Sequence, residues 1–249
     1  MDIWDSPPVG NAGERPIKSH KELLQDFLAY LVLERSLSSN TSNAYRVDVG
    51  HLFDFLHEQH ISLTEVSEND LHLLLTTLRD LGISPRSQAR LIAGMRSFFK
   101  FLRMEGYIVN DPSELIESPQ LNRELPDVLS VEEIDAMIAA IPSGKDESLR
   151  NHAIIETLYG SGLRVSELVA TRISRIDLKE ALMIVEGKGN KQRLVPVSPT
   201  AVDLITEYLH ARSLLKIQPS GQDILFLNRR GAPLSRVMVF YICLLYTSP

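Results

Sequence analysis

The hydrophobic pattern changes character once along this chain, and the change restricts the folds that it can adopt. Up to about residue 105, apolar residues recur every three or four positions, which is typical of amphipathic helices. Beyond residue 126, the β-branched stretches 182–186 and 193–197 flank a turn containing Gly and Asn, which indicates a β-hairpin. The stretch 107–126 between them contains prolines and lacks periodicity, as interdomain linkers do. We therefore predict a helical first domain and a mixed α/β second domain.

The predicted fold class is mainly α with a small β-hairpin or sheet. Ser19 and Glu22 have the spacing of a capping box, Pro85 suits a first helical turn, and Gly106 suits a helix end. We expect a loose leader at 1–17, a helical domain at 18–106, a linker at 107–126 and a second domain at 127–249. Helices are predicted at about 19–34, 40–58, 68–80, 85–105, 131–140, 148–159 and 199–214, with a short strand at 223–228.

Composition excludes some classes of protein. The single cysteine, Cys243, excludes an intrachain disulfide framework and a Cys-based zinc site, which favours a reducing cytoplasm. No apolar run approaches the roughly 20 residues needed to cross a bilayer, and the N-terminus lacks the pattern of a secretory signal. The net charge of -6 argues against a nucleic-acid partner, unless positive charge is concentrated on one face.

The fourth predicted helix concentrates positive charge in this way. At about 100° per residue, its basic residues fall within an arc of roughly 140°, and its apolar residues fall opposite, within roughly 120°. One face can be buried while the other follows a phosphate backbone. A solvated amphipathic face is the alternative, although such faces usually mix charges of both signs. The basic residues are Arg86, Arg90, Arg96, Lys100 and Arg103, and the apolar residues are Leu91, Ile92, Met95, Phe98, Phe99 and Leu102.

The second predicted helix begins with polar residues that can contact phosphates or base edges. The alternative is that Ser39 or Asn40 simply caps this helix. The candidate contact residues are Asn40, Thr41, Tyr45 and Arg46.

Two basic residues of the second domain lie in turns. Arg164 follows Gly160 and Gly162, which we expect to break a helix. It is either an ion-pair partner, with Glu167 as the candidate, or an anion ligand. Lys188 lies between glycines at the predicted hairpin tip, where it can enter a groove or simply be an exposed turn lysine. A phosphate-binding Walker pattern is absent from the sequence.

Taken in order, these segments resemble the tyrosine recombinase (phage integrase) family from about residue 18 to about residue 242. LSSNTSNAYRVDVGHLFDFL and ISPRSQARLIAGMRSFFKFLRMEGYIVNDP are similar to two of its DNA-clamp helices. LPDVLSVEEIDAMI resembles its linker and first catalytic-domain helix. LYGSGLRVSELVATR and VEGKGNKQRLVPV are similar to the segments that carry its first catalytic arginine and its catalytic lysine, here Arg164 and Lys188.

The resemblance implies a four-helix SAM-like core-binding bundle and a partial α/β catalytic domain that close around duplex DNA. A tyrosine would attack the scissile phosphate and form a 3′-phosphotyrosyl link, with Arg164 as an electrostatic clamp and Lys188 as the general acid. It implies no metal or other cofactor, a related recombinase in a tetrameric synapse, and a DNA translocase as activator. No membrane partner is expected. Within the family, the chain is most similar to recombinases that resolve chromosome dimers.

The chain departs from the family pattern after the hairpin. His210 is not followed by Arg three residues on, and Tyr208, Tyr241 and Tyr246 do not stand in the family's nucleophile context. We expect a C-terminal truncation, a non-native tail at about 243–249 that does not continue the preceding helix, and exposed apolar surface within 199–242. Such a chain would bind DNA through Arg86, Arg90 and Arg96 without cleaving it. Alternatives are a phage, integron or other branch of the family, a non-catalytic DNA-binding remnant, and a protein-interaction scaffold.

Overall fold

The computed structural model describes residues 18–121, 128–142, 144, 146–187, 189 and 191–247. The chain divides into two compact units, Met1–Leu125 and Pro126–Pro249. Each unit has its own hydrophobic core. The predicted fold class, mainly helical with a small antiparallel sheet, is confirmed.

The described part of the first unit, residues 18–121, contains four helices that start at serine caps. Ser19 and Glu22 form the predicted capping box, and Ser84 caps the helix that starts with Pro85. The alternative in which Ser39 or Asn40 caps the second helix is wrong, because the Ser38 hydroxyl accepts the Thr41 backbone N–H at 3.3 Å and the helix begins at Ser39. The helices are α1 (His20–Leu33), α2 (Ser39–Glu58), α3 (Glu68–Asp80) and α4 (Pro85–Met104).

The apolar face of α4 lies at the centre of this core, as predicted. The Phe98 ring packs edge-on against Phe27 and Phe53, with centroid distances of 5.2 and 5.5 Å. Gly106 adopts a positive φ of 75° just after α4. The chain then turns back, so that Tyr107, Ile108 and Ile116 of the predicted linker are buried against the same core. All six predicted α4 residues are buried: Leu91, Ile92, Met95, Phe98, Phe99 and Leu102.

The second unit packs helices around a small sheet. Its helices are α5 (Val131–Ala139), α6 (Asp146–Ser161), α7 (Val165–Val169), α8 (Pro199–Ser213) and α9 (Arg236–Thr247). Its strands are β1 (Ile176–Asp177), β2 (Leu182–Glu186) and β3 (Gln192–Pro196), in the order β1-β2-β3 with antiparallel neighbours.

The predicted hairpin is β2 paired with β3. Met183 lies opposite Val195, and Val185 lies opposite Arg193. Alternation along β2 buries Met183 and Val185 in the core of the unit. The short strand β1 was not predicted, because two residues carry no measurable period.

Three local predictions for the second unit differ from the structure. Residues 223–228 form only isolated bridges, at Ile224 and Leu227, instead of a strand. Gly160 does not break α6 but lies inside it, and a Cβ there would be 3.0 Å from the Ser198 hydroxyl. The last helix, α9, continues through the stretch that we expected to end it, although its exposed side chains include Phe240 and Leu245.

Candidate functional site

The predicted catalytic arginine lies at the N-terminus of α7. Gly162 adopts a positive φ of 56° two residues earlier, and Arg164 is the extended N-cap residue of the helix. Glu167, in the first turn of α7, accepts the backbone N–H of Arg164 at 2.8 Å and its Nη1 at 3.0 Å. One carboxylate therefore fixes both the backbone and the side chain of Arg164.

The same carboxylate binds a second arginine from the hairpin. Arg193 of β3 donates from Nη1 and Nη2 to the two oxygens of Glu167, at 2.7 and 3.0 Å. Such a fork-shaped pairing is the strongest common form of ion pair in proteins. The Glu167 side chain is only 3% exposed and that of Arg193 is 41% exposed, so this contact connects β3 to a buried carboxylate of α7.

The electrostatics of this cluster favour a charged carboxylate. The hydrogen bonds from Arg193, and then those from Arg164, lower the pKa of Glu167 to about 2, against the opposing effect of burial. Glu167 is therefore ionised throughout the physiological range. Because two guanidinium groups share one negative charge, the cluster keeps an excess of positive charge.

Arg164 remains accessible although it is paired. Its side chain is 75% exposed, and its Nη1 makes the ion pair with Glu167. Both interpretations of Arg164 are therefore compatible with the structure: it is an ion-pair partner of Glu167, and it still presents N–H donors to an anion. An anchored guanidinium of this kind can accept two non-bridging phosphate oxygens without losing its position.

The hairpin approaches this cluster through Gly187. The Gly187 N–H donates to the Lys191 carbonyl at 2.8 Å. A Cβ at Gly187 would be 3.6 Å from Glu167 Oε1 and 3.8 Å from Arg193 Nη1. Lys188, the predicted general acid, follows Gly187 in sequence and lies outside the described residues.

The basic face of α4 is exposed as predicted, but its arginines differ in what they bind. Arg90 donates to Asp48 Oδ2 at 2.7 Å and to the Ala44 carbonyl at 3.0 Å, both on α2. Arg96 donates to the carbonyls of Ser113 and Ile116, which follow α4 in the chain.

Two members of the basic face have no such protein partner. Within the described part of the chain, neither Arg86 nor Lys100 makes a hydrogen bond or an ion pair, and both are exposed. Arg103 lies 3.8 Å from Glu114, a distance typical of a weak surface pair. The groups on α4 that are most available to an anion are therefore Arg86 and Lys100.

Asp48 is a buried carboxylate beneath this face. It is 0% exposed, and its Oδ1 has no hydrogen-bond partner among the described residues. Burial raises the pKa of Asp48 to about 6, although Arg90 and His51 act to lower it. Gly94 on α4 permits this approach, because a Cβ there would be 3.0 Å from Asp48 Oδ2.

The polar candidates on α2 are placed differently from one another. Asn40 and Arg46 are exposed. The Thr41 hydroxyl lies 3.0 Å from that of Ser38, so it takes part in the helix cap. Tyr45 is partly buried against the hydrophobic core, which gives its ring a packing role.

The tyrosines of the second unit are engaged in different ways. Tyr208 is 2% exposed, its hydroxyl accepts the Leu227 N–H at 3.0 Å, and burial raises its pKa. The Tyr246 hydroxyl accepts from Asn151 Nδ2 at 3.0 Å. Tyr241 and His210 are exposed. Burial and these contacts give no reason to assign a nucleophile among the three tyrosines.

Sequence reasoning missed Arg193 and Asp48. Arg193 is one of several basic residues around the hairpin turn, and no spacing connects it to Glu167. Asp48 stands between Val47 and Val49, and nothing in the local sequence indicates that its carboxylate packs against Gly94 of α4. Within the described ranges, no three His, Cys, Asp or Glu side chains cluster as metal ligands would. In the same ranges, no helix combines the length and apolar character needed to cross a bilayer.

Two family models match consecutive parts of the chain. One, described as "Phage integrase, N-terminal SAM-like domain", matches residues 24–106. The other, described as "Phage integrase family", matches residues 127–243 and so includes Arg164, Glu167 and Arg193. The two matches lie on either side of the division between the two units.

Similar proteins carry related names. The chain is 37% identical to tyrosine recombinase XerD of Chlorobaculum tepidum over 225 residues, covering 89% of this chain and 74% of that protein. It is 35% identical to tyrosine recombinase XerD of Staphylococcus aureus over 219 residues, covering 88% and 74%. A crystal structure of XerH site-specific recombinase bound to difH substrate superposes with a TM-score of 0.69 and 19% identity, covering 88% of this chain and 76% of that one. At that identity the likeness concerns the fold.

Proposed function

This chain belongs to the phage integrase family of tyrosine recombinases, enzymes that cut DNA and transfer its strands, and from that premise we propose that it binds duplex DNA at a recombination site. In this proposal Arg164 and Lys188 act at the scissile phosphate. Arg86 and Lys100 of α4 contact the DNA backbone, and Arg90, Arg96, Asn40, Thr41, Tyr45 and Arg46 complete the binding surface.

Arg164 provides the main support for this proposal. Its guanidinium is held by a buried carboxylate and is nevertheless 75% exposed, which is the arrangement that a preorganised anion clamp requires. A donor of this kind is fixed before the reaction begins, so it needs no rearrangement as charge develops on the phosphate oxygens. Removing one such donor raises a reaction barrier by about 3 kcal/mol.

The proposed cleavage has a balanced sequence of bond changes. A tyrosine hydroxyl releases its proton to solvent water and bonds to the scissile phosphorus, and the bond from phosphorus to the 5′ oxygen breaks. Lys188 gives a proton to that oxygen, which leaves as a 5′-hydroxyl. Arg164 stabilises the charge on the non-bridging oxygens throughout, and rejoining reverses the same steps with another strand. The proposal uses no metal or cofactor.

We propose further that residues 1–249 bind DNA without cleaving it when no other polypeptide is present. Tyr208 is buried with its hydroxyl bonded to Leu227, and Tyr246 is bonded to Asn151. Neither hydroxyl is poised as a nucleophile. Tyr241 is exposed but does not stand in the sequence context that the family uses.

The similarity to XerD relatives supports a more specific role, namely resolution of chromosome dimers before cell division in the cytoplasm. In that role the partner would be a XerC-like recombinase on the adjacent half-site of a tetrameric synapse, with a DNA translocase as activator. The alternatives, a XerC, phage or integron branch or a DNA-binding remnant, predict no dependence on such a partner. Adding a XerC-like recombinase should increase occupancy of a shared site only in the first case.

A nicked suicide duplex tests both binding and cleavage. The chain is incubated with a labelled nicked duplex of a XerD-type recombination site, and the mixture is run on native and on denaturing gels. We expect a shifted band on the native gel and no covalent adduct on the denaturing gel. A covalent adduct would contradict the proposed lack of cleavage, and the absence of any shift at low salt would contradict DNA binding itself.

A further inference from the structure

Glu167 is bound by arginines from two separate elements, and only one of these contacts is a fork. Arg164 on the α7 side donates one side-chain bond of 3.0 Å. Arg193 on the β3 side donates two, at 2.7 and 3.0 Å. A two-bond contact between planar groups fixes orientation as well as distance. The position of β3 relative to α7 is therefore restricted mainly by Arg193.

The position of β3 controls the end of the hairpin. Arg193 lies opposite Val185 in the β2–β3 register, and the next two positions toward the turn are Glu186 and Gly187. The Gly187 N–H closes the turn on the Lys191 carbonyl. Because Gly187 itself lies beside the Glu167 carboxylate, the hairpin is held near Glu167 on both strands. Lys188 is the residue covalently bonded to Gly187.

We propose that Arg193 is a positioning residue, which holds the hairpin bearing Lys188 against the turn bearing Arg164 through the fork that it forms with Glu167. The inference rests on the proposed roles of Arg164 and Lys188 in strand cleavage. Arg193 does not touch the DNA phosphate in this account. It keeps Gly187 and β3 in a fixed relation to Arg164, so that the chain leading into Lys188 starts from a fixed point, as catalysis by proximity requires.

A simpler role for Arg193 would be charge neutralisation. Glu167 is buried, and any nearby cation would reduce the cost of its charge. The two roles differ in what a lysine can replace. Lysine supplies the charge as a point and cannot form the planar fork, so it rescues neutralisation but not orientation.

The hairpin also carries a matched control. Arg175 donates to Glu186 at 3.1 Å, and Glu186 is the last residue of β2. This pair joins the hairpin, through Glu186, to Arg175 just before β1, and it does not involve Glu167. Its carboxylate is 44% exposed, against 3% for that of Glu167. Arg175→Gln therefore removes a comparable charge and hydrogen bond without affecting the fork.

The test is deuterium exchange of the β2–β3 hairpin, measured by mass spectrometry on the full chain without DNA. We compare the wild type with Arg193→Lys, Arg193→Gln and Arg175→Gln, and record the thermal unfolding midpoint of each. Loss of the charge-assisted fork should speed exchange of the hairpin amides by about tenfold or more in both Arg193 variants. Arg175→Gln should exchange at nearly the wild-type rate.

Rescue by lysine would overturn the proposal, since it would assign Arg193 to charge neutralisation. Unchanged exchange in Arg193→Gln would overturn it as well. If Arg193→Gln does not fold, the comparison of Arg193→Lys with Arg175→Gln still distinguishes orientation by the fork from charge neutralisation. A separate measurement adds a recombination-site duplex. Slower exchange of the hairpin with DNA would support the proposed function. If DNA gives no protection, the proposed function fails, but the comparison of variants made without DNA still tests the role of Arg193.

Discussion

Asp48 in the first unit and Glu167 in the second are both buried carboxylates bonded to arginine, yet their pKa values are shifted in opposite directions. The pKa of Asp48 is raised to about 6, and that of Glu167 is lowered to about 2. Asp48 accepts one side-chain bond from Arg90, and its other oxygen has no partner within the described residues. Glu167 accepts three side-chain bonds and one backbone bond.

The difference shows that an arginine neighbour does not by itself stabilise a buried carboxylate. Burial penalises the charged form, and the penalty is overcome only when both oxygens are hydrogen-bonded. Glu167 meets that condition and can serve as the fixed centre of a catalytic cluster. Asp48 does not, so Arg90 is held by a group that is readily protonated. In the second unit the arginines are held by a carboxylate that stays ionised, whereas in the first unit the charge that holds Arg90 depends on pH.

Glu167→Gln should have the largest effect on stability. The depressed pKa means that ionised Glu167 contributes stability that is present above its ordinary pKa of 4.5. We expect the substitution to lower the free energy of unfolding of the second unit by about 2–3 kcal/mol at pH 7, after allowance for the exposure of both arginines. Urea unfolding monitored by hydrogen exchange of α6 and α7 measures this.

The matched control is Glu186→Gln, which removes the exposed partner of Arg175 and should cost less than about 1 kcal/mol. The loss of unfolding free energy caused by Glu167→Gln should become smaller as the pH falls from about 4.5 toward 2. At that pH the wild-type carboxylate becomes protonated, and it is then as neutral as the glutamine. Equal losses for the two variants would mean that the Glu167 cluster is no stronger than a surface pair.

Asp48→Asn should change the free energy of unfolding in the opposite direction and by a smaller amount. Because the folded-state pKa of Asp48 is raised above 3.8, its contribution to stability is full below that value and is lost as the pH rises through about 6. Asparagine mimics the neutral acid, so we expect a gain of about 1–2 kcal/mol at pH 8 and little change near pH 4. Hydrogen exchange of α2 and α4 at the two pH values measures the difference.

The comparison must be made between the variant and the wild type at each pH. His20 is partly buried, with its ring stacked on that of Phe53 in the same unit, and its pKa is lowered mainly by burial. Protonation of His20 therefore weakens the first unit in acid, opposite to the effect of Asp48. The difference between the free energies of unfolding of the variant and the wild type at one pH cancels this contribution of His20. A destabilising effect of Asp48→Asn at pH 8 would contradict the account of Asp48.

The sequence predicted the parts of this picture that depend on local periodicity. The two faces of α4 and the capping box at Ser19 follow from spacing within one element, and the β2–β3 pairing follows from two alternating stretches on either side of a short turn. The protein partner of each arginine on the α4 face could not be predicted in the same way. Arg90 binds Asp48 42 residues earlier, and Arg96 reaches carbonyls of the returning chain, so both depend on tertiary packing.

The same limit applies to the candidate catalytic site. Arg164 and Lys188 were identified because their turns resemble known motifs. Arg193 was missed because its partner lies 26 residues away, on another element. Glu167 was considered only as a local partner of Arg164, whereas the fold makes it a shared one. Residues that contact through tertiary structure alone leave no periodic signal in a single sequence.

DNA affinity as a function of salt concentration tests the central claim most directly. The account assigns phosphate contacts on α4 to Arg86 and Lys100, which have no protein partner within the described chain. Fluorescence anisotropy with a labelled recombination-site duplex should show that Arg86→Ala with Lys100→Ala reduces the slope of log K against log salt by about 2, because each lost phosphate contact removes about 0.9. The control variant replaces two acidic residues with exposed side chains, Glu68→Ala with Asp80→Ala, and should leave the slope unchanged. A wild-type slope in the Arg86 and Lys100 variant would show that α4 does not bind the DNA backbone and would contradict the account.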